Sequence, residues 1–243
     1  MAQEKLNKLI SVLQEIAQDG KLALAFSGGV DSSILLEVMK RADLDVLTLT
    51  FDLSEALLIP EVSNNDKLRC YYCKSKMMST LKDKAASAGY SVLCDGTNAD
   101  DLLEYRPGLR ALSENGVLSP IAIAGLSKND LREIGRFLGL DAADKPSSPC
   151  GLTRFPYGTH VTSEMLTAVA DAESYLSENG YPFCRVRIYS TTAMVEIKKE
   201  LIPSANINLD KIKDILSPIG VVDVSIDPKG LRSGTMDEGE NNG

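Results

Sequence analysis

The sequence predicts an α/β fold with a parallel sheet, followed by a small α+β domain. Residues 22–26 and 46–51 are apolar runs of the length expected for buried strands, and residues 32–41 between them have helical spacing. A strand, a helix and another strand in this order are typical of a parallel sheet. Beyond about residue 160 the elements lose this order, which favours a separate α+β domain.

The remaining elements follow from apolar periodicity and from capping residues. Ser127, with Asp130 in the following turn, is an N-cap candidate, and Gly139 ends that helix. Predicted helices cover residues 3–18, 32–41, 74–88, 127–138, 162–178 and 209–216. Predicted strands cover residues 22–26, 46–51, 91–94, 185–190, 194–197 and 221–226. Residues 52–69, which contain Pro60, predict a mobile connection without a firm element.

Length and composition indicate an ordinary soluble protein. The chain has 243 residues, of which 44% are hydrophobic and 25% charged. We expect a first domain at residues 1–158, a small domain at 159–235 and a disordered tail at 236–243. No apolar run has the length of a membrane span, so we expect a cytoplasmic protein. The net charge of −8 disfavours a nucleic-acid partner and favours a small-molecule substrate.

The run S-G-G-V-D-S-S at residues 27–33 joins the first predicted strand to the next helix. Its glycines permit a tight turn, and the positive end of the helix favours an anion such as pyrophosphate. The mononucleotide loop that grips β- and γ-phosphates has Lys before Ser or Thr, whereas Asp31 occupies that position here. The dinucleotide pattern G-x-G-x-x-G is also absent. The turn therefore predicts a phosphate site of another kind.

The cysteines fall into two groups. Cys94 and Cys184 lie in strand-like apolar runs, where a thiol usually packs in the core. Cys70 and Cys73 form a C-x-x-C pair whose short loop can place two thiolates on one metal. Cys150 lies in a stretch with prolines on one side and a glycine on the other, an unusual setting for a packing cysteine.

Several chemistries suit this second group. A zinc site needs a fourth ligand, and His160 is the only histidine of the chain. A redox dithiol needs only Cys70 and Cys73 and leaves Cys150 unexplained. A [4Fe–4S] cluster held by three cysteines has one iron open to a substrate or a sulfide. The spacing of the cysteines alone leaves all three chemistries open.

The phosphate turn resembles the PP-loop of ATP pyrophosphatases, which have an adenine nucleotide α-hydrolase-like fold and cleave ATP between its α- and β-phosphates. Taken with the other motifs in their order, the chain resembles the LarE family over about residues 21–235. The motifs that carry this resemblance are S-G-G-V-D-S at 27–32, R-C-Y-Y-C-K at 69–74, D-G-T-N-A-D-D at 95–101, Y-R-P-G at 105–108, P-S-S-P-C at 146–150, R-F-P-Y-G-T at 154–159 and R-V-R at 185–187.

The resemblance implies an ATP-dependent sulfurtransferase. Family members adenylate a carboxylate of pyridinium-3,5-biscarboxylic acid mononucleotide and insert sulfur, on the route to a nickel-pincer cofactor. Members with three cysteines resemble enzymes that carry sulfide on a [4Fe–4S] cluster, and the matching residues are Cys70, Cys73 and Cys150. Members with one cysteine give up the sulfur of the residue matching Cys150, which becomes dehydroalanine. For members of the three-cysteine type, the resemblance therefore implies a partner that supplies sulfide or another form of sulfur.

The resemblance also implies roles for single residues. Cys150 and Asp31 are the implied catalytic residues, and Asp31 also helps to hold Mg²⁺. The implied cofactor-binding residues are Ser27, Gly28, Gly29, Asp31, Ser32, Ser33, Gly96, Arg106, Arg185 and Arg187. The last two are implied to hold the substrate phosphate, in a homo-oligomer that we expect to be a hexamer. Glu173 matches a metal-binding acid of the family, although a solvated helix face explains it equally well. We expect His160 to be structural.

Two other activities and one departure from the family stay open. An iron–sulfur tRNA-thiolation enzyme combines the same phosphate loop with three cysteines, but the acidic charge of this chain argues against it. The second alternative is a scaffold protein that carries a cluster and delivers sulfur to a partner. The phosphate loop argues against it, because such a carrier does not use ATP. The family has a further helix and strand between the second strand and Arg69, whereas only residues 52–68 are available here. We therefore assign no adenine contacts.

Overall fold

The structure is a computed structural model that describes residues 1–103, 107–144 and 149–232. The chain forms two compact units: Met1–Ile59 with Leu68–Ser148, and Pro60–Lys67 with Pro149–Gly243. We call them the first and the second unit. The predicted domain limits at residues 1–158 and 159–235 stay a prediction, and the predicted disordered tail, 236–243, lies outside the described residues.

The described residues alternate between helix and strand up to residue 49, are mostly helical from residue 53 to residue 178, and contain the last three strands beyond it. The strands are β1 (Lys21–Ala25), β2 (Asp45–Leu49), β3 (Leu93–Cys94), β4 (Cys184–Tyr189), β5 (Thr192–Ile197) and β6 (Asp223–Ile226). The helices are α1 (Ala2–Ile16), α2 (Val30–Arg41), α3 (Leu53–Ala56), α4 (Pro60–Ser63), α5 (Arg69–Ser87), α6 (Pro107–Glu114), α7 (Pro120–Ile123), α8 (Lys128–Phe137), α9 (Ser163–Glu178) and α10 (Leu209–Leu216).

The first unit contains a parallel sheet in the order β2-β1-β3, which confirms the predicted α/β class. The middle strand β1 carries Leu22, Ala23 and Leu24, all fully buried, because helices cover both faces of such a sheet. Leu118 continues the sheet beyond β3 by a parallel bridge to Cys94. The strands run in parallel, so their carboxyl ends meet at one edge, where the turn into α2 begins.

Local signals explain where the helices of the first unit begin. Ser127 caps α8 through a capping box in which its hydroxyl accepts from the Asp130 backbone N–H, as the sequence predicts. Apolar residues of α1, including Leu9 and Leu13, are fully buried in the same core as Ile34 of α2. This core fixes α2, and with it the turn that precedes α2, against the sheet.

The second unit is a mixed sheet in the order β4-β5-β6 with α9 and α10 packed beside it. Strands β4 and β5 are antiparallel, and β5 and β6 are parallel. Ser190 turns between β4 and β5 with a φ of 55°, a left-handed conformation that suits a tight hairpin. The predicted α+β pattern of this part of the chain is thus confirmed.

The prediction of a mobile connection over residues 52–69 is wrong. The segment contains α3 and α4, and Asn65 is fully buried in the second unit. The expected lack of a strand between β2 and Arg69 is confirmed, since residues 50–68 are all described and contain none. Within the described ranges, no helix is long and apolar enough to cross a membrane.

Candidate functional site

The turn from β1 into α2 presents backbone N–H groups at the edge of the sheet. Gly28 adopts a φ of +70°, a conformation that favours glycine, and Gly29 is the N-cap of α2. The first intrahelical hydrogen bond runs from Ser33 N to Gly29 O at 3.0 Å. The N–H groups of residues 30–32 therefore have no partner inside the helix, as at every helix start. Such groups at a positive helix end form a site for phosphate.

Two serine hydroxyls fix the shape of this turn. Ser27 Oγ and Ser32 Oγ share a hydrogen bond of 3.0 Å, and Ser32 Oγ also lies 3.2 Å from Gly29 O. Ser27 Oγ accepts from Gly29 N at 3.3 Å. Ser27 and both glycines are exposed, whereas Ser32 is buried beneath them. The predicted phosphate residues 27–33 thus lie together.

Gly96 lies against the start of α2. A Cβ atom at Gly96 would be 3.1 Å from Ser32 N and 3.4 Å from Ser32 Cα. Both are backbone atoms, which cannot give way as the end of a flexible side chain can. The segment after β3 can approach the turn this closely because residue 96 has no side chain. The structure thus brings Gly96 to the other predicted nucleotide residues.

Asp31 is a partly buried carboxylate in the first turn of α2. Its Oδ2 accepts from Asn98 Nδ2 at 3.3 Å and lies 3.9 Å from Lys128 Nζ. Its Oδ1 is buried and has no hydrogen-bond partner among the residues that the structure describes. Burial raises the pKa of Asp31, and the charge of Lys128 opposes that rise. An unsatisfied carboxylate oxygen beside a phosphate site fits a Mg²⁺ ligand.

Asp95 organises the carboxyl end of β3, and sequence analysis gave it no role. The carboxylate is buried and accepts from Ser119 Oγ at 2.6 Å, Thr97 Oγ1 at 2.6 Å and Thr97 N at 3.2 Å. Lys74 Nζ of α5 lies 3.5 Å from Asp95 Oδ2. Lys74 and Lys128 place two ammonium groups in the first unit beside the polar edge of the sheet, and only their positions in the fold reveal this.

The C-x-x-C pair lies in the first turn of α5 rather than in the predicted short loop. Helical residues three apart share a face, so Cys70 and Cys73 still point to the same side. Cys70 is exposed and Cys73 is half-buried. By contrast, burial raises the pKa of both Cys94 and Cys184 to about 12, so these thiols stay protonated at neutral pH. Cys94 is buried, as predicted for a packing thiol, whereas Cys184 is half-buried, as Cys73 is.

Cys150 belongs to the second unit, where it precedes the 3-10 helix Gly151–Arg154 and is exposed. Its carbonyl accepts from Thr153 N at 3.0 Å and from Thr153 Oγ1 at 2.7 Å, which fixes the backbone at the cysteine. The predicted cluster ligands are therefore divided between the two units. Residues 145–148 of the preceding motif lie outside the described residues.

Within neither unit do described residues form a group of three histidine, cysteine, aspartate or glutamate side chains suited to a metal ion. His160 Nδ1 is 2.9 Å from Asn64 Oδ1, and both side chains belong to the second unit. This contact gives His160 a structural partner, in line with the role that we expect for it.

The predicted arginine pair lies on one face of β4. Arg187 is buried and pairs with buried Glu196, with 2.7 Å between Nε and Oε1, and its Nη1 donates to Thr153 O at 2.8 Å. Arg185 is less buried, and its Nη1 donates to Arg232 O at 2.9 Å. Burial and the charges of Arg154 and Arg187 lower the pKa of Arg185, and Glu196 and Glu173 oppose that change. An anion beside Arg185 would relieve this repulsion.

Arg154 and Glu173 form a two-point ion pair, with 2.6 Å from Nε to Oε1 and 3.0 Å from Nη2 to Oε2. Glu173 Oε1 also accepts from Val186 N of β4 at 2.9 Å. Arg154 Nη1 donates to Thr153 Oγ1 at 2.9 Å. Glu173 thus links α9 to β4 and to the segment after Cys150. Arg106, which sequence analysis placed among the cofactor-binding residues, lies outside the described residues.

Comparison with known proteins decides the family. No family model matches the chain. The pyridinium-3,5-bisthiocarboxylic acid mononucleotide synthase of Lactiplantibacillus plantarum is 30% identical over 258 residues, covering 95% of this chain and 92% of that enzyme. The chain belongs to the LarE family.

Two uncharacterized proteins are similar to this chain as well. A protein of Synechocystis sp. is 32% identical over 259 residues, covering 95% of this chain and 97% of that protein. A protein of Methanocaldococcus jannaschii is 32% identical over 219 residues, covering 82% of this chain and 86% of that protein. The similarity therefore extends over nearly the whole length of the Synechocystis and Lactiplantibacillus proteins, and is not confined to the short motifs.

Proposed function

We propose that this protein is an ATP-dependent sulfurtransferase that acts on a carboxylate of pyridinium-3,5-biscarboxylic acid mononucleotide. The observation that carries the proposal is the similarity, over 95% of the chain, to an enzyme whose name specifies the corresponding bisthiocarboxylic acid mononucleotide as its product. That name implies that sulfur replaces carboxylate oxygen. The phosphate turn before α2 supports the use of a nucleotide in this exchange.

The turn at residues 27–33 acts as a PP-loop in this proposal, and the first unit is an adenine nucleotide α-hydrolase-like domain. Backbone N–H groups of the turn and the hydroxyls of Ser27, Ser32 and Ser33 hold the pyrophosphate part of ATP. The unpartnered Oδ1 of Asp31 supplies a ligand for Mg²⁺, which would neutralise phosphate charge when bound. Lys128, 3.9 Å from Asp31 Oδ2, adds positive charge beside the same carboxylate.

The first chemical step activates the substrate carboxylate. A carboxylate oxygen attacks the α-phosphorus of ATP, the bond to the β-phosphate oxygen breaks, and pyrophosphate leaves with the electron pair. The product is an acyl-adenylate, whose AMP is a much better leaving group than oxide. The turn before α2 stabilises the departing pyrophosphate by hydrogen bonds from fixed donors.

The second step brings in sulfur. A sulfur nucleophile attacks the acyl carbon, and AMP leaves with the electrons of the broken carbon–oxygen bond. In the cluster type, Cys70, Cys73 and Cys150 are the ligands, and a [4Fe–4S] cluster would offer an iron that binds sulfide. The exposure of Cys70 and Cys150 and the shared helix face of Cys70 and Cys73 support this donor set.

In the alternative without a cluster, the Cys150 thiolate attacks the acyl carbon itself. Loss of the Cys150 α-proton to a base then breaks the bond between Cβ and sulfur, which leaves a thiocarboxylate and dehydroalanine. Both routes give the same product, but only the second consumes the protein. The exposed position of Cys150 is compatible with either route.

Arg185 is our choice for the substrate phosphate. It is the less buried member of the arginine pair, and its guanidinium offers a planar fork of donors that suits a phosphate. Arg187 lies on the same face of β4 but is already held by Glu196 and Thr153.

We further propose a hexamer in which neighbouring chains help to complete this region. Light scattering that gives a monomer at all concentrations would contradict the hexamer.

Pyrophosphate release tests the proposed function. Wild-type protein with ATP, Mg²⁺, sulfide and the pyridinium dicarboxylate mononucleotide should release pyrophosphate, and the substrate should gain the mass of sulfur less oxygen. Asp31→Asn should lose nearly all of this release because it removes a metal-binding charge. Asp83→Asn, an exposed position on α5, is the matched control and should release pyrophosphate normally. Release that is equal without the mononucleotide, or equal in Asp31→Asn, would overturn the assignment.

A further inference from the structure

Asn65 is a buried hydrogen-bond centre beneath the segment that follows Cys150. Its Nδ2 lies 2.9 Å from Phe155 O, 2.9 Å from Pro156 O and 3.3 Å from Leu152 O. The backbone carbonyl of Asn65 accepts from Gly158 N at 3.2 Å. Asn65 is fully buried, and all of these atoms belong to the second unit. The Asn65 side chain thus holds the backbone of residues 152, 155 and 156, and the Asn65 backbone carbonyl holds residue 158.

Asparagine satisfies two requirements at this position. Residue 65 has a φ of 51°, a left-handed conformation that asparagine tolerates better than most residues with a side chain. The carbonyls of residues 152, 155 and 156 require an N–H donor, which aspartate and glycine side chains lack. The buried Oδ1 has no hydrogen-bond partner among the described residues, which lowers the stability of the fold. The hydrogen bonds from Nδ2 to the carbonyls offset this loss.

The segment held by Asn65 begins at the proposed sulfur-handling residue. The Cys150 carbonyl is tied to Thr153, and Thr153 is bonded in turn to Arg154 and Arg187. These contacts fix the start of the segment, and the Asn65 amide fixes its remainder. A displacement of a reacting group by about 1 Å can lower the reaction rate about a hundredfold.

We propose that Asn65 is a positioning residue for sulfur transfer, since it holds the segment that carries Cys150 in its reactive place. The inference rests on the proposed function for its catalytic part and on the hydrogen bonds alone for its structural part. Adenylation uses the turn of the first unit and does not depend on Asn65. The two half-reactions should therefore respond differently to a change at this residue.

Asn65→Asp is the direct test because aspartate keeps the shape and the left-handed conformation but removes the N–H donors. We expect pyrophosphate release in a single turnover, with protein in excess over the mononucleotide, within about twofold of wild type, and the maximal rate of thiocarboxylate formation lowered by about tenfold or more. Asn64→Asp is the matched control because Asn64 is exposed. Its Oδ1 lies 2.9 Å from His160 Nδ1, and an aspartate oxygen can keep this contact. Asn65→Gly, which also suits the φ of 51°, replaces Asn65→Asp if that variant does not fold.

Hydrogen exchange gives a measurement that is independent of the activity. The amides of Thr153, Phe155 and Gly158 donate to Cys150 O, Leu152 O and Asn65 O. We expect their exchange to become about tenfold faster in the Asn65 variants and unchanged in Asn64→Asp, while the amides of α2 exchange as in wild type.

The outcomes separate the two proposals. Unchanged exchange at residues 153–158, or equal loss of single-turnover pyrophosphate release and sulfur transfer in a folded variant, would overturn the role of Asn65. If wild-type protein releases no pyrophosphate with the mononucleotide, the proposed function fails, and faster exchange in the variants then still supports the positioning of the segment by Asn65.

Discussion

Asn98 donates from Nδ2 to Asp31 Oδ2 across 3.3 Å and so joins the segment after β3 to the first turn of α2. The hydrogen bond satisfies only one oxygen of Asp31, because Oδ1 is buried without a partner among the described residues. Burial of this kind disfavours the charged carboxylate and raises its pKa. Asp31 is therefore placed at a cost in stability, which is common for groups that serve binding or catalysis.

Asp31→Asn should raise the midpoint of thermal unfolding at neutral pH while it abolishes pyrophosphate release. The folded protein binds a proton at Asp31 more readily than the unfolded chain does, because the pKa is raised in the folded state. Stability attributable to Asp31 is therefore greatest below the ordinary aspartate pKa and is lost as pH rises through the raised value. Thermal melts from pH 4 to 8 in the absence of Mg²⁺ check this, with Asp83→Asn as control.

Mg²⁺ should reverse the order of these melts. Saturating Mg²⁺ with ATP should raise the midpoint of the wild-type protein by mass action and should raise that of Asp31→Asn much less. A variant that melts below wild type without Mg²⁺, or that gains as much from Mg²⁺ as wild type does, would show that Asp31 is a structural group rather than a metal ligand.

Gly96→Ala should impair nucleotide binding more than folding. The added Cβ would meet Ser32 N at 3.1 Å and Ser32 Cα at 3.4 Å, so the turn must shift by a few tenths of an ångström. We expect the apparent KM for ATP to rise by about tenfold, with a loss of about 1–3 kcal/mol in the free energy of unfolding. Steady-state pyrophosphate release and urea unfolding measure the two effects.

Gly108→Ala is the control for this substitution. Its Cβ would also lie 3.1 Å from a neighbour, but that neighbour is Lys74 Cδ in a flexible side chain. We expect a smaller change in the KM for ATP than in Gly96→Ala. Equal KM values in the two variants would mean that the close approach of Gly96 to α2 does not shape the nucleotide site.

The two arginines of β4 should separate into a structural and a binding residue. Arg187→Ala leaves Glu196 as a buried charge without its partner, which costs about 3–5 kcal/mol in the free energy of unfolding. Arg185→Ala removes a less buried guanidinium that donates to a backbone carbonyl, so we expect a smaller loss of stability and a rise of about tenfold in the KM for the mononucleotide.

Urea unfolding and mononucleotide titrations of both variants provide the measurement. Arg41→Ala is the control, since Arg41 forms a surface ion pair with Glu37 of the same helix, and a pair of this kind contributes little. If Arg185→Ala binds the mononucleotide as well as wild type does, the substrate phosphate lies elsewhere.

Local signals account for what the sequence predicted correctly. The strand and helix on either side of the phosphate turn follow from apolar patterning, and the cap at Ser127 follows from residues three positions apart. The start of α5 was missed because its N-cap, Leu68, makes no side-chain capping bond and leaves no signal in the sequence. The helix therefore begins before the C-x-x-C pair rather than after it.

Long-range contacts account for what the sequence did not predict. Asn65 bonds residues that lie 87 to 91 positions later, and Lys128 approaches Asp31 from a different helix. Pro60 and the adjacent asparagines are typical of a connection, and nothing local shows that Asn65 is buried. Periodicity finds elements, but it cannot find a side chain whose partners are fixed only by the fold.

The cysteines decide between the two routes of sulfur transfer. If Cys70, Cys73 and Cys150 share a cluster, replacing any one of them with Ala should lower the iron content, the visible absorbance and thiocarboxylate formation together. One equivalent of pyrophosphate should still be released in a single turnover, because adenylation needs none of the three. Cys94→Ala and Cys184→Ala are the controls: burial raises the pKa of these thiols to about 12, so their loss should affect stability alone, by about 1–2 kcal/mol.

The route without a cluster predicts a different pattern for the same variants. Cys150→Ala should abolish thiocarboxylate formation, Cys70→Ala should keep it, and wild-type protein should lose the mass of hydrogen sulfide at residue 150 after one turnover. Anaerobic purification with iron and sulfide analysis, followed by mass spectrometry of the peptide that contains Cys150, distinguishes the two. Dehydroalanine at position 150 with full activity in Cys70→Ala would refute the cluster and leave the sulfurtransferase standing, because in both routes the sulfur replaces AMP on the same acyl carbon.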